Sequence, residues 1–439
     1  MIEYRNLRVA LLGAGSVGAQ VAALLLDHGD ELANRAGAGL ELVGVAVRDL
    51  DAPRTTDIPK ALLTTDAEAL ILGADIVIEL MGGLEPARTY ILQALNSGAD
   101  VITGNKALLA THGPELFQAA EQVGAQLYYE AAVAGAIPII RPLRDSLAGD
   151  RIKRILGIVN GTTNFILDRM DTVGESLEVA LATATELGYA EKSDPSADIE
   201  GFDAAQKTAI LASLAFHTTV PLEAVHREGI TGVTLEQVQA ARKSGYVVKL
   251  LAICERLTDA EGVEGVSARV YPALVPRDHP LASVHGAKNA VFIEAEAAGD
   301  LMFYGAGAGG IETASAVLGD LVSAARRHVI GGPGVAESTQ AKLPILPISH
   351  VITRYQITLS VFDAPGVLAV IAELLSKHQV SVETLSQSVF GGTATATPTA
   401  TLIIGTHEAS ESDLAATVLE LEASDVVLRV NSVLRVEGS

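Results

Sequence analysis

Over the first 140 residues, short apolar runs alternate with stretches of helical period. The runs are Arg8–Leu12, Leu40–Val47, Ile76–Leu80, Asp100–Thr103 and Gln126–Tyr129. Between them, Val17–Asp27 and Pro86–Ser97 repeat apolar residues three and four apart. Strands alternating with helices predict a parallel, doubly wound sheet over 1–140. Ligands of such sheets bind outside the carboxyl ends of the strands. The pattern then changes. Strand-like runs at Lys153–Val159, Val266–Leu274 and Ala290–Ala297 join long helical stretches at Asp203–Phe216 and Thr313–His328. This predicts an α+β domain over 141–330, with the last helix able to return to the first domain. Residues 331–349 hold Gly331-Gly332-Pro333-Gly334, Pro344 and Pro347, the composition of a linker. Beyond it, over 350–439, the pattern predicts strand Tyr355–Phe362, helix Gly366–Lys377 and strand Ser381–Val389. Strand Thr399–Gly405, helix Glu411–Leu421 and strand Val426–Val436 complete it. That βαββαβ order is ferredoxin-like. The Thr/Ala-rich run Gly391–Thr401 reads as the arm between two of its strands.

Composition narrows the function. A chain of 439 residues suits about three domains. Hydrophobic residues at 49% against 19% charged give a globular chain. Acidic residues outnumber basic ones 53 to 31, for a net charge of −22. That excess argues against nucleic acid or an anionic membrane as partner. The single cysteine, Cys254, can form neither an internal disulfide nor a cysteine-based zinc site, which suits a reduced, cytoplasmic setting. It lies in an apolar, helix-like run, Val247–Leu257, and reads as a core residue rather than a nucleophile. The apolar stretch Val9–Leu26 has the hydropathy of a targeting segment, but its glycines make it a strand, a turn and a helix. Y-x-x-x-K, G-x-S-x-G and H-E-x-x-H patterns are all missing, which excludes three familiar mechanisms.

Gly13-Ala14-Gly15-Ser16-Val17-Gly18 is G-x-G-x-x-G between a strand and a helix, the setting of a Rossmann-type dinucleotide site. The glycines let backbone approach a pyrophosphate, and the helix N-terminus offers N–H donors. The second strand runs into Arg48 and then Asp49. An arginine there can pair with the 2′-phosphate of NADP, so the reading leans to NADP. Asp49 keeps NAD open, and a solvated loop role for Arg48 also stands. Thr103-Gly104-Asn105-Lys106 follows a strand at the same end of the sheet, where Lys106 is either a site residue or a surface lysine. Asp203 and Lys207 are four apart and share a helix face. Two readings stand: an exposed ion pair, or a lysine held at an apolar helix mouth as proton donor to a carbonyl.

Taken together, the motifs identify the chain as resembling homoserine dehydrogenases of the monofunctional type with a C-terminal ACT domain. The resemblance spans nearly the whole chain. Its most specific part runs from Ala184–Tyr189 through Asp194-Pro195, Asp198, Gly201, Asp203 and Lys207. Supporting blocks are Glu79–Gly83 with Glu85-Pro86-Ala87, Thr103–Lys106, Glu130–Ile140, Gly157–Leu167 and Tyr304–Gly310 with Thr313–Ala316. The resemblance implies reversible NAD(P)-linked interconversion of L-homoserine and L-aspartate 4-semialdehyde. It implies Lys207 as proton donor, with Lys106 as a second candidate, and Asp203 binding substrate and orienting the lysine. Glu191 would hold the substrate ammonium, while Gly188 and Gly309 would line the cofactor. A monovalent cation, usually sodium, is implied at Glu130, Val133, Gly135 and Ile137, fixing a hinge. The turn Asp363-Ala-Pro-Gly366 resembles ACT domains, which implies L-threonine as effector near Asp363 and Gly366; a dimerisation module is the other reading. Pairing of such units implies a homo-oligomer, dimer or tetramer. Two departures stand out. Lys192 and Ser193 separate Glu191 from Asp194 where many relatives have one residue, and Glu312 occupies a position where proline is common. Two rival functions are another oxidoreductase of this plan and a catalytically dead amino-acid sensor. The Lys207 signature argues against the first. The intact glycine fingerprint and Lys207 argue against the second.

Overall fold

A computed structural model describes residues 5–259, 261–337, 341–390 and 399–438. The chain divides into two compact units. The first comprises residues 1–161, 203–225 and 287–343, and the second comprises 162–202, 226–286 and 344–439.

The first unit is built on β1 (Leu7–Leu12), α1 (Ser16–Asp27), α2 (Gly29–Ala36), β2 (Leu40–Ala46), β3 (Leu63–Thr64) and α3 (Ala67–Leu72). It continues with β4 (Ile76–Glu79), α4 (Ala87–Asn96), β5 (Asp100–Thr103), α5 (Lys106–Val123) and β6 (Leu127–Tyr128). The strands pair in parallel in the order β3-β2-β1-β4-β5-β6. The order reverses between β1 and β4, so a ligand crevice opens beyond Leu12 and Glu79. The doubly wound α/β expectation therefore holds. β3 had no sequence signal because two residues are too few to show a period.

Helix Gly310–Ile330 belongs to this unit. Its Ala314, Val317, Leu321, Ala324 and Ala325 are buried in one core with Ala19, Val21, Ala22 and Leu25 of α1. Strands Ile152–Ile158, Lys288–Ala295 and Gly299–Ala306 pair antiparallel, each with the next. The Gly/Pro-rich stretch after residue 330 is not a free tether. Gly334 N donates to Gly124 O (3.2 Å) and Glu337 N to Glu121 (3.0 Å). Glu337 also takes the guanidinium of Arg144 and the hydroxyl of Tyr129.

In the second unit, Tyr246–Thr258 and Glu264–Pro276 form a long antiparallel hairpin. The helix-like reading of Val247–Leu257 is thus corrected to a strand. The run is buried on both faces, Val247–Cys254 without a break, and such a run has no period to separate strand from helix. Cys254 is a core residue, and burial pushes its thiol up to about 12. Strand Val427–Val436 continues the sheet beside the hairpin, followed by Ile352–Phe362, Thr399–Thr406 and Val382–Phe390. With helices Val367–Lys377 and Glu411–Glu422 packed on one shared core, this is the expected ferredoxin-like βαββαβ unit. Residues 391–398 of the expected Thr/Ala-rich arm lie outside the described residues.

Candidate functional site

The crevice begins at the glycine fingerprint. Gly13 has φ +97°, and a Cβ there would meet Leu80 O at 2.7 Å. A Cβ on Gly18 would meet Gly13 O at 2.1 Å. These two glycines close the turn, whereas Gly15 faces open space. Gly15 is also the N-cap of α1 and offers no side-chain cap, so the first-turn N–H groups of Ser16 and Val17 stay available. Ala14 lines a cavity of about 620 Å³ with Gly13, Gly15, Arg48, Asp49, Arg54 and Leu80. Arg48 is exposed and has no hydrogen bond or ion pair among the described residues. The Asp49 carboxylate turns back to accept the Asp51 N–H (2.9 Å). Gly309 borders the same turn: it caps helix Gly310–Ile330, and a Cβ on Gly310 would meet Ser16 O at 2.8 Å. Glu312, unusual by resemblance, sits in that helix's first turn, where the dipole favours an anion. Its carboxylate closes over Gly309, where a Cβ would lie 2.1 Å from Oε2.

At the end of β4 the fully buried Glu79 accepts the N–H groups of Met81 (2.7 Å) and Gly82 (3.3 Å). Thr103 at the end of β5 donates its hydroxyl to Glu79 (2.6 Å) and is itself fully buried. Asn105 caps α5 and reaches Gly83 O (2.7 Å). This clasp joins two strand ends and fixes Lys106 as the first residue of α5.

Lys106 Nζ lies 2.8 Å from Asp203 Oδ1, and Lys207 Nζ lies 2.6 Å from Oδ2. The Lys207 ammonium also donates to Val159 O (2.7 Å), and Asn160 Nδ2 donates to Asp203 Oδ2 (2.9 Å). The Asp203 and Lys207 side chains are only 10% and 11% exposed, so they are not a solvated surface pair. Lys106 is 40% exposed and gives the cluster its open side. Burial alone would raise the Asp203 carboxyl. The Lys207 and Lys106 charges overcome it and hold the group far below the carboxylate range. The result is a permanently ionised carboxylate holding two ammonium groups at the end of helix Phe202–Phe216. Each ammonium has three donors, so such a pair can polarise a carbonyl and pass it a proton. Asn160 and Glu79 carried no role in the sequence reading. The signal available was a polar residue just past an apolar strand, and for Glu79 a carboxylate inside one.

Glu130 is buried, and its carboxylate is saturated. Oε1 accepts Ile139 N and Ile140 N (2.6 and 2.8 Å), while Oε2 accepts Arg141 N and Nε (both 3.0 Å). Ala134 and Gly135 both have positive φ. Among the described residues no N–H donates to the carbonyls of Val133, Gly135 or Ile137. Those oxygens suit a hard monovalent cation, whereas the Glu130 carboxylate has no lone pair left for one. Among the described residues no cluster of acidic, histidine or cysteine side chains could hold a metal.

In the second unit, Gly188 (φ +79°) ends helix Leu177–Glu186, and Glu191 is exposed in the loop that follows. Gly366 has φ +94° and caps helix Val367–Lys377, and Asp363 accepts Gln387 Nε2 (3.3 Å). Among the described residues no helix is long and apolar enough to cross a membrane.

Two family models match, described as homoserine dehydrogenase over residues 138–322 and homoserine dehydrogenase, NAD binding domain, over 13–130. A homoserine dehydrogenase of Corynebacterium glutamicum is 53% identical over 98% of this chain and 95% of its own. One of Mycobacterium tuberculosis is 52% identical over 100% and 99%. The crystal structure of a homoserine dehydrogenase from Thiobacillus denitrificans superposes with a TM-score of 0.89 at 39% identity, covering 99% of both chains.

Proposed function

The chain belongs to the homoserine dehydrogenase family, and from that premise we propose that it interconverts L-homoserine and L-aspartate 4-semialdehyde with NADP in preference to NAD. The carrying observation is the buried Asp203 carboxylate shared between Lys207 and Lys106. The cofactor supplies or accepts the hydride. Lys207 gives its proton to the substrate oxygen during reduction and receives the hydroxyl proton, directly or through a water, during oxidation. Asp203 and Val159 O hold the Lys207 ammonium in place. Lys106 holds the second place on the carboxylate and is the alternative donor. Glu191 is assigned to the substrate ammonium on the signature alone.

For the cofactor, the open face at Gly15, the uncapped start of α1, Gly309 and the exposed Arg48 support dinucleotide binding, with Gly188 and Thr103 assigned by resemblance. Arg48, with Asp49 turned into its own loop, supports NADP. A monovalent cation suits the carbonyls of Val133, Gly135 and Ile137; Glu130 would contribute its main-chain oxygen, since its carboxylate is spent. The βαββαβ unit is assigned as an ACT module sensing L-threonine near Asp363 and Gly366, in a homo-oligomeric, cytoplasmic enzyme.

Nicotinamide absorbance with purified protein, L-homoserine and either NADP+ or NAD+ tests the reading. Homoserine-dependent reduction, faster with NADP+ and collapsing in Lys207→Ala, is expected. Activity surviving in Lys207→Ala moves the proton to Lys106. No homoserine-dependent signal with either cofactor refutes the function.

A further inference from the structure

The loop after β2 holds a second arginine that the glycine fingerprint does not explain. Arg54 lines the same cavity as Arg48 and Asp49. Its guanidinium gathers three carbonyls of the loop: Nη2 donates to Asp49 O (2.6 Å), and Nη1 to Leu50 O (3.1 Å) and Ala52 O (2.9 Å). Two residues on, Thr56 Oγ1 donates to Ala19 O (2.8 Å) and ties the loop to α1. A rigid planar fork spreads its donors over separate nitrogens and holds three carbonyls in a fixed geometry, which the single nitrogen of a flexible lysine does not reproduce. Within the closed loop the Asp49 carboxylate caps the Asp51 N–H, and Arg48 is left exposed.

We propose that Arg54 is a positioning residue for cofactor choice: by closing the 49–54 loop it keeps the Asp49 carboxylate on the Asp51 N–H and leaves Arg48 to meet an adenosine 2′-phosphate. This rests on the NADP reading above. Arg48 and Asp49 are neighbours with opposite preferences, since a carboxylate favours a free ribose hydroxyl and repels a phosphate. Which one reaches the ribose depends on the course of the backbone between them, and Arg54 sets that course. Without it three carbonyls lose their donor, and Asp49 is released beside the position Arg48 serves.

Isothermal titration with adenosine 2′,5′-bisphosphate and with 5′-AMP reads selectivity directly, without turnover. The wild-type chain should prefer the bisphosphate. Arg54→Ala and Arg54→Lys should both lose about tenfold of that preference, while 5′-AMP binding and the KM for homoserine hold. Asp49→Asn placed on Arg54→Ala should restore most of it. If Arg54→Lys keeps wild-type selectivity, Arg54 acts only by its charge, and the proposal is overturned. It is also overturned if Arg54→Ala changes nothing, or if Asp49→Asn restores nothing. Arg54→Gln carries the same test should the alanine variant not fold. A wild-type chain that does not prefer the bisphosphate, or an Arg48→Ala chain that still does, refutes the NADP reading itself.

Discussion

Replacing Asp203 by asparagine keeps the shape of the site and removes one charge. In the native chain the two ammonium groups sit on the two oxygens of this carboxylate, at 2.8 and 2.6 Å. That places them about 6 Å apart, and at an effective dielectric of about 20 their repulsion is about 3 kcal/mol. The carboxylate normally offsets it. In Asp203→Asn the repulsion is uncompensated, and the pair relieves it by releasing one proton. A repulsion of that size moves the alkaline limb of the kcat profile down by about two pH units. The amide can still accept one hydrogen bond, so Lys207 keeps Val159 O and a weaker second partner. With the proton donor mispositioned and partly discharged, kcat should fall by about 10²–10³, within the range of a general acid's contribution. The KM for the cofactor should change little. The assay is L-aspartate 4-semialdehyde reduction followed against pH for both proteins at saturating cofactor. A variant with kcat within tenfold of wild type and an unmoved alkaline limb would refute the shared-carboxylate mechanism.

Asn160→Ala removes one donor to the same carboxylate and should lower kcat by about tenfold with cofactor KM unchanged, checked by steady-state kinetics. Gly15→Ala meets open space and should fold normally yet weaken dinucleotide binding. Gly18→Ala would place its methyl 2.1 Å from Gly13 O and should lower the melting temperature as well; calorimetry with and without cofactor separates the two. Lys249 is buried, donates to Asn164 Oδ1 (2.9 Å) and Val284 O (2.6 Å), and burial pushes its ammonium down to about 8. Its folded state then holds fewer protons than its unfolded state between about pH 8 and 10, so this group makes stability rise with pH there. Lys249→Met should flatten that rise in urea unfolding, and an unchanged slope would refute the assignment.

The parts legible in the sequence were those written in a short period or a fixed spacing. β1, β2, β4 and β5 were placed within a residue or so because each is an apolar run with a turn at its end. Asp203 and Lys207 were paired by their i,i+4 spacing, but burial, which turns an ion pair into a site, has no period. The contact of Lys106 with Asp203 joins residues 97 positions apart (203 − 106), beyond any local pattern. Strand Tyr246–Thr258 was misread because both its faces are buried, and alternation vanishes when neither face meets water. The docking of residues 331–337 was hidden because glycine and proline report a broken helix without reporting what the extended backbone then touches. Arg54 carries no signal in the sequence, since nothing in its neighbours shows that three carbonyls converge on it.

Helix Gly310–Ile330 also imposes a timetable. Its apolar face completes the core that α1 begins, yet it leaves the ribosome about 200 residues after β6, or about 10–40 s later at the usual pace of synthesis. Throughout that interval Ala19, Val21, Ala22 and Leu25 have no partner on that side. The nascent first unit therefore carries an uncovered apolar helix face until that helix is made. Point changes in α1 that leave the finished enzyme's stability intact can still lower its yield in the cell.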